Sequence, residues 1–294
     1  MMSNSTRRRG IKNLSRSGIV KSIAWLGILC LRSDCLATTV VTLVTTHGVV
    51  VCADGKAIHE RNPRQGRRTP LEPSYPEKAV LIKNRFAVSH NGLRSLFKNS
   101  PYSVERIFGE LERDVSPSFT VSKVADLIRD KLNAEFAGFD VLLKSGRFGR
   151  EQMPPPQDVI TRFNVAGYDG PVAHIYTITI GVDWNALVVS PAVVESVYPQ
   201  RARNNLTPYI VGSVVGISEL FNINSATYGR EHKSMPVEIE ALAIDRDLDV
   251  PGMGRLAHRM VALEIESNPQ TVGYPIKVIT IPKGGRATNQ TYQR

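Results

Sequence analysis

Thr38 stands where a single cut would create a catalyst. It follows Cys35-Leu36-Ala37 and opens the run Thr38-Thr39-Val40-Val41. Inside a chain, two threonines are ordinary strand residues. After cleavage at Ala37, Thr38 carries both a hydroxyl and a free α-amine, so nucleophile and base sit on one residue. The hydroxyl is a poor nucleophile until a base takes its proton. A free α-amine titrates at about 7.7–8.0, so much of it is neutral near pH 8 and can accept that proton. The chemistry open to such a residue is attack on a peptide or other amide carbonyl. An ester forms on Thr38, and water then hydrolyses it.

The residues ahead of the junction decide whether the cut occurs. Arg7, Arg8 and Arg9 make a basic start, and Ser22 to Leu31 is apolar. A run of about ten such residues suits the core of a signal peptide and is too short for a stable membrane span. Cys35 and Ala37 provide small residues at the spacing a signal peptidase needs. Lys21 against the apolar run, and Arg32 and Asp34 beside the cut, depart from the usual pattern. Two readings of residues 1–37 follow. A signal peptide sends the chain to the periplasm or makes it a secreted protein. A self-cleaved propeptide or basic tail leaves it cytoplasmic.

Charge and cysteine narrow the classes of partner. The net charge of +10 is concentrated in the leader, which holds seven of 37 Lys/Arg and one of 27 Asp/Glu. A net +4 remains on the rest, which argues against nucleic acid as partner. Arg61, Arg64, Arg67 and Arg68 lie in a Pro-rich stretch that reads as a solvated loop. Only Cys52 follows the junction, within an apolar run, so the mature chain has no internal disulfide and no thiolate metal site. No phosphate loop, dinucleotide fingerprint or His-rich metal spacing occurs, so neither metal nor cofactor is expected. The 257 residues after Ala37 suffice for one large domain.

Val- and Thr-rich segments predict a hairpin, Thr39–Val44 and Val49–Ala53, broken at Thr46-His47-Gly48. A charged, Pro-rich loop covers 58–77. Ala79–Ile82 and Phe86–Ser89 form a second strand pair around Lys83-Asn84-Arg85. Val104, Ile107, Phe108 and Leu111 recur at helical spacing. Val121 to Phe136 does the same behind Thr120, a candidate N-cap. Residues 138–157 read as an irregular insertion. Strands resume at Val159–Ala166 and His174–Ile180 around a turn at Gly167 to Pro171, with a short strand at Tyr209–Val211. Val214–Phe221 and Leu256–Glu266 read as helical, Pro275–Ile281 as a strand and 284–294 as a polar tail. Strands and helices in blocks predict an α+β layered fold.

The opening residues, with Gly48-Val49-Val50-Val51-Cys52-Ala53-Asp54-Gly55-Lys56-Ala57, resemble a proteasome β-type subunit, including the bacterial HslV branch. These are N-terminal nucleophile (Ntn) threonine hydrolases. Asp54 lies sixteen residues after Thr38, and Lys78 lies fourteen before Gly92, both as in the family pattern. Val165-Ala166-Gly167-Tyr168-Asp169, Val211-Gly212-Ser213 and Thr271 to Ile276 resemble later family segments. The resemblance covers most of 38–283 and implies a four-layer αββα sandwich.

By that resemblance Thr38, Asp54, Lys78, Gly92 and Ser213 form the catalytic set. Lys78 would favour the neutral amine and the developing alkoxide, and Asp54 would keep Lys78 charged and oriented. The Gly92 N–H would serve as oxyanion donor. His90 and Arg94 are the candidates for substrate binding, His90 being equally readable as a structural histidine. The chain departs from the pattern at several points. Val214 stands where a glycine is expected and Asn268 where an aspartate is. The loop before Lys78 is longer than usual, and Ala37 replaces the glycine of self-cleaving precursors. Three functions follow: a threonine hydrolase, a catalytically silent scaffold or assembly subunit, and an exported binding domain. By analogy the chain forms a homo-oligomeric ring.

Overall fold

The computed structural model describes residues 38–56, 76–95, 102–150, 158–198, 206–244 and 247–294. The leader and its cut site, the arginine cluster and Pro154-Pro155-Pro156 lie outside the described residues. The described chain holds ten strands in two antiparallel sheets and seven α-helices.

One sheet contains β1 (Thr39–Val44), β2 (Gly48–Asp54), β8 (Thr207–Gly212), β9 (Ile276–Pro282) and β10 (Thr288–Tyr292), in the order β10-β9-β2-β1-β8. The other runs in sequence order through β3 (Ala79–Ile82), β4 (Phe86–Gly92), β5 (Val159–Asp169), β6 (Val172–Asp183) and β7 (Val188–Tyr198). Every residue of β1 and β2 is buried, which explains their near-continuous apolar sequence. Val41, Leu43, Val50 and Cys52 pack with the helices of their own side. The Thr177 hydroxyl on β6 bonds Asn164 on the neighbouring β5 at 2.9 Å and reaches across to Tyr209 on β8 of the other sheet at 2.8 Å.

Each sheet has its own helical cover and its own apolar core. On the second sheet lie α1 (Val104–Asp114), α2 (Val121–Glu135) and α3 (Asp140–Lys144). Thr120 caps α2 as expected, its hydroxyl accepting from Lys123 N at 3.2 Å. The first sheet is covered by α4 (Val215–Ser218), α5 (Ala226–Ser234), α6 (Pro236–Ile244) and α7 (Val250–Ser267). Met253, Leu256, Ala257, Met260 and Val261 of α7 are fully buried. Each of the larger ones contributes roughly 1.5–3 kcal/mol on removal from water.

Several elements differ from the sequence expectation. Helix α7 starts six residues early, because Asp249 caps Gly252 N at 2.7 Å and Pro251 falls in the first turn, where its missing N–H costs nothing. The expected turn from Gly167 is instead a continuation of β5, and the chain reverses only at Gly170-Pro171. Strand β7 escaped the reading; it carries Pro191, which an edge strand tolerates. The insertion at 138–157 contains α3. Residues 284–294 are polar, but Thr288–Tyr292 pairs with β9 as an exposed edge strand rather than trailing as a tail. The turn Lys83-Asn84-Arg85 stands as read: Ile82 pairs with Phe86 across it, Lys83 and Asn84 have positive φ, and Arg85 N donates to Ile82 O at 3.0 Å.

Candidate active site

Thr38 immediately precedes β1, an interior strand of the first sheet, and is 8% exposed. Its carbonyl accepts from Ser213 N at 3.1 Å, so the end of β8 holds the peptide between Thr38 and Thr39. Gly212 makes this approach possible. It pairs with Thr39 at φ +103°, and a Cβ there would overlap the Thr38 carbonyl oxygen.

Asp54 ends β2, next to the start of β1. Its Oδ1 accepts from Thr39 N at 2.7 Å, and its Oδ2 from Lys56 N at 3.1 Å and Gly273 N at 3.3 Å. Lys78 Nζ donates to both oxygens, at 3.0 and 2.9 Å. Lys78 itself is anchored by its backbone carbonyl, which accepts from His90 N of β4 at 2.8 Å. The pair is almost sealed from solvent, at 1% and 3% exposure. Burial pushes the Asp54 carboxyl above its ordinary value, against the pull of Lys78 and two backbone donors. Burial also lowers Lys78, with Arg94 and Lys56 adding to the effect against Asp54. Through Asp54 Oδ1, Lys78 is linked to Thr39 N and so to the Thr38–Thr39 peptide.

Gly92 closes β4 with φ +109°, and an added Cβ would lie 2.8 Å from the Ile160 carbonyl oxygen and 2.9 Å from Thr161 Cα. The position therefore excludes every other residue. The preceding Asn91 is 2% exposed and its Nδ2 has no hydrogen-bond partner among the described residues. That amide lies 3.2 Å from the Cβ position of Gly212, which brings this end of β4 to Thr38.

Ser213 is 6% exposed and wraps the first peptide of β1. Besides its N–H on Thr38, its carbonyl accepts from Thr39 Oγ1 at 3.2 Å. Its hydroxyl donates to Glu264 Oε1 and accepts from Asn268 Nδ2 at 3.4 Å. Glu264 is fully buried, and its Oε2 also accepts from Gly216 N at 2.8 Å and Ile217 N at 3.4 Å. Sequence reasoning missed this residue. The signal was available: Glu264 follows Ala257, Met260 and Val261 at helical spacing, so it falls on the buried stripe of α7. Val214 forms the non-helical residue before α4 and makes no side-chain cap.

His90 and Arg94 occupy different surroundings. His90 is 2% exposed, stacks at an angle on Phe163, and shares its Nε2 between Leu93 O (3.1 Å) and Thr161 Oγ1 (2.7 Å). Burial holds its pKa well below the usual histidine range, with Arg94 contributing. The Tyr102 hydroxyl lies within hydrogen-bond distance of the same two oxygens, at 2.8 and 2.9 Å, and shares its one proton between them. Arg94 donates to Glu77 O at 3.0 Å and pairs with Glu105. Both side chains are thus engaged by the protein itself. Among the described residues, no three His, Cys, Asp or Glu side chains converge as a metal site, and no helix is long and apolar enough to cross a membrane.

No family model and no curated protein sequence matches the chain. Among solved structures, it is similar to the Anbu (Gly-1) mutant from Hyphomicrobium sp. strain MC1, with TM-score 0.51 and 11% identity over 87% of this chain and 88% of that one. It also aligns with Anbu (ancestral beta-subunit) from Yersinia bercovieri, with TM-score 0.48 and 12% identity over 86% and 87% of the two chains. The chain has a proteasome-like fold. Nothing in this likeness singles out the HslV branch. At such identity the likeness carries backbone architecture alone, and the chemistry has to be argued from Thr38 and its neighbours.

Proposed function

We propose that the chain is an N-terminal threonine hydrolase of peptide or other amide bonds, built on a four-layer αββα sandwich. The observation that carries this reading is the buried Asp54–Lys78 pair bonded to Thr39 N, directly beside the candidate nucleophile. A domain that needed only to fold would gain little from such a pair, because desolvation offsets the attraction.

In this reading cleavage after Ala37 frees the Thr38 amine. The neutral amine takes the Oγ proton as Oγ attacks the substrate carbonyl. Lys78 stabilises the developing negative charge on Oγ, and the Gly92 N–H donates to the carbonyl oxygen as it becomes an oxyanion. Collapse breaks the C–N bond, and the leaving nitrogen receives the proton held by the Thr38 amine. Water then adds to the ester, its proton passing through the same amine, and releases a carboxylic acid and free Thr38. Asp54 orients Lys78 throughout. His90 and Arg94 flank Gly92 in sequence and would shape the substrate side through Leu93 and Glu105 rather than as free ligands.

The reading includes export to the periplasm or exterior with removal of residues 1–37, a mature domain over 38–283, and assembly into a homo-oligomeric ring. Asn268, in place of the expected aspartate, favours the second reading, a silent scaffold of the same fold. Labelling separates the two. Incubation of purified protein with a peptide epoxyketone should give a covalent adduct on Thr38, absent in Thr38→Ala. A protein that begins at Thr38 and stays unlabelled would belong to the scaffold reading.

A further inference from the structure

We propose that Glu264 is a positioning residue for the Thr38 amine, acting through Ser213. The inference rests on the threonine-hydrolase reading and assigns to Glu264 the carboxylate role that Asn268 cannot fill. Glu264 is 0% exposed in the apolar stripe of α7, where an acidic side chain is costly unless its oxygens are satisfied. No ion pair reaches it among the described residues. Its partners are instead three donors: the Ser213 hydroxyl, Gly216 N–H and Ile217 N–H. The last two belong to the first turn of α4, whose preceding residue, Val214, provides no side-chain cap. Glu264 therefore ties three things together: α7, the start of α4 and the hydroxyl of Ser213.

The consequence falls on the serine proton. A hydroxyl has one proton and two lone pairs. Ser213 gives its proton to Glu264, so towards every other neighbour it can only accept. One lone pair faces Asn268 Nδ2 at 3.4 Å. The other remains for an N–H donor, and Ser213 already grips Thr38 through its own N–H at 3.1 Å. The free amine of Thr38 is that donor. Accepting from the amine holds it in place and leaves its lone pair for the Oγ proton. With the Ser213 proton unclaimed, the hydroxyl could instead donate to the amine nitrogen and block the base. Asn268 cannot prevent this, because its Nδ2 offers protons and takes none. Glu264 lies one helical turn before Asn268, close enough to reach the same serine.

The test is labelling kinetics with a peptide epoxyketone, resolved into kinact and KI, on processed wild type, Glu264→Gln, Ser213→Ala and the double variant. Glutamine can still accept from Gly216 and Ile217, but its amide nitrogen now donates towards Ser213. The expected result is a fall in kinact of about tenfold or more, part of the roughly 100-fold a positioned base contributes, with KI unchanged. Ser213→Ala should show a similar fall, and the double variant no more than either single change. Wild-type kinact in Glu264→Gln, or additive losses in the double variant, would overturn the proposal while leaving the hydrolase reading standing. Should Glu264→Gln fail to fold, Ser213→Ala decides alone: an unchanged kinact overturns the role. Wild type that begins at Thr38 and takes no label would sink the hydrolase reading itself, and this inference with it.

Discussion

Two buried acids flank the start of β1, and they are satisfied in opposite ways. Asp54 meets a cation, Lys78, and three backbone N–H groups. Glu264 meets a hydroxyl and two N–H groups, with no cation among the described residues. In the proposed hydrolase the first arrangement would hold a lysine for the negative charge that develops on Thr38. The second sets the direction of a single proton. In the proposed function one acid would serve the electrostatics of the site and the other its hydrogen-bond order, and the two should respond differently to substitution.

The sharpest contrast comes from removing one partner at each place. Lys78→Met strands the Asp54 carboxyl in the interior and should cost about 3–5 kcal/mol of stability, measured by urea unfolding. Labelling at Thr38 should vanish with it. Glu264→Leu leaves donors unpaired but strands no charge, so its cost should be smaller, about 1–3 kcal/mol. Equal losses at the two sites would break the comparison.

His90 offers a pH test of the second sheet. Its pKa is depressed in the folded protein from an ordinary value of 6.5. The unfolded chain therefore binds the proton first as pH falls. The stability held by neutral His90 is complete above 6.5 and is lost as pH drops through the depressed folded value. The expected slope approaches about 1.4 kcal/mol per pH unit inside that window. His90→Gln should flatten this part of the stability–pH curve. An unchanged curve would mean that another group carries it.

The smallest effect is expected at Asn91. Its Nδ2 is buried without a partner, so Asn91→Ala exchanges lost packing for the removal of an unsatisfied donor. The net change should stay within about 1 kcal/mol of zero in thermal unfolding. A loss several times larger would mean that the amide is engaged in the native protein.

The two acids also differ in how they can be read from sequence. Asp54 and Lys78 lie at strand boundaries, where a fixed separation from Thr38 and Gly92 survives any change in side-chain packing. Gly92 and Gly212 were picked out by resemblance to the family, and the structure gives each a positive φ and a close backbone approach that favour glycine. Glu264 depends on three neighbours from a loop and a short helix some fifty residues earlier, which spacing alone cannot assemble. The hairpins and α2 were visible from period and caps. Strand β7 and strand β10 were not, because edge strands carry prolines and polar residues that resemble loops. The start of α7 was hidden by Pro251 and its glycines, which act as breakers mid-helix but not in a first turn.

For the proposed activity, Thr38 must become a chain terminus that reacts. Intact-mass spectrometry of the purified protein, before and after incubation with a peptide epoxyketone, tests this most directly. The predicted result is a chain beginning at Thr38 that gains one probe mass, located on the N-terminal peptide. A chain that retains residues 30–37, or one that begins at Thr38 and gains no mass, would contradict it.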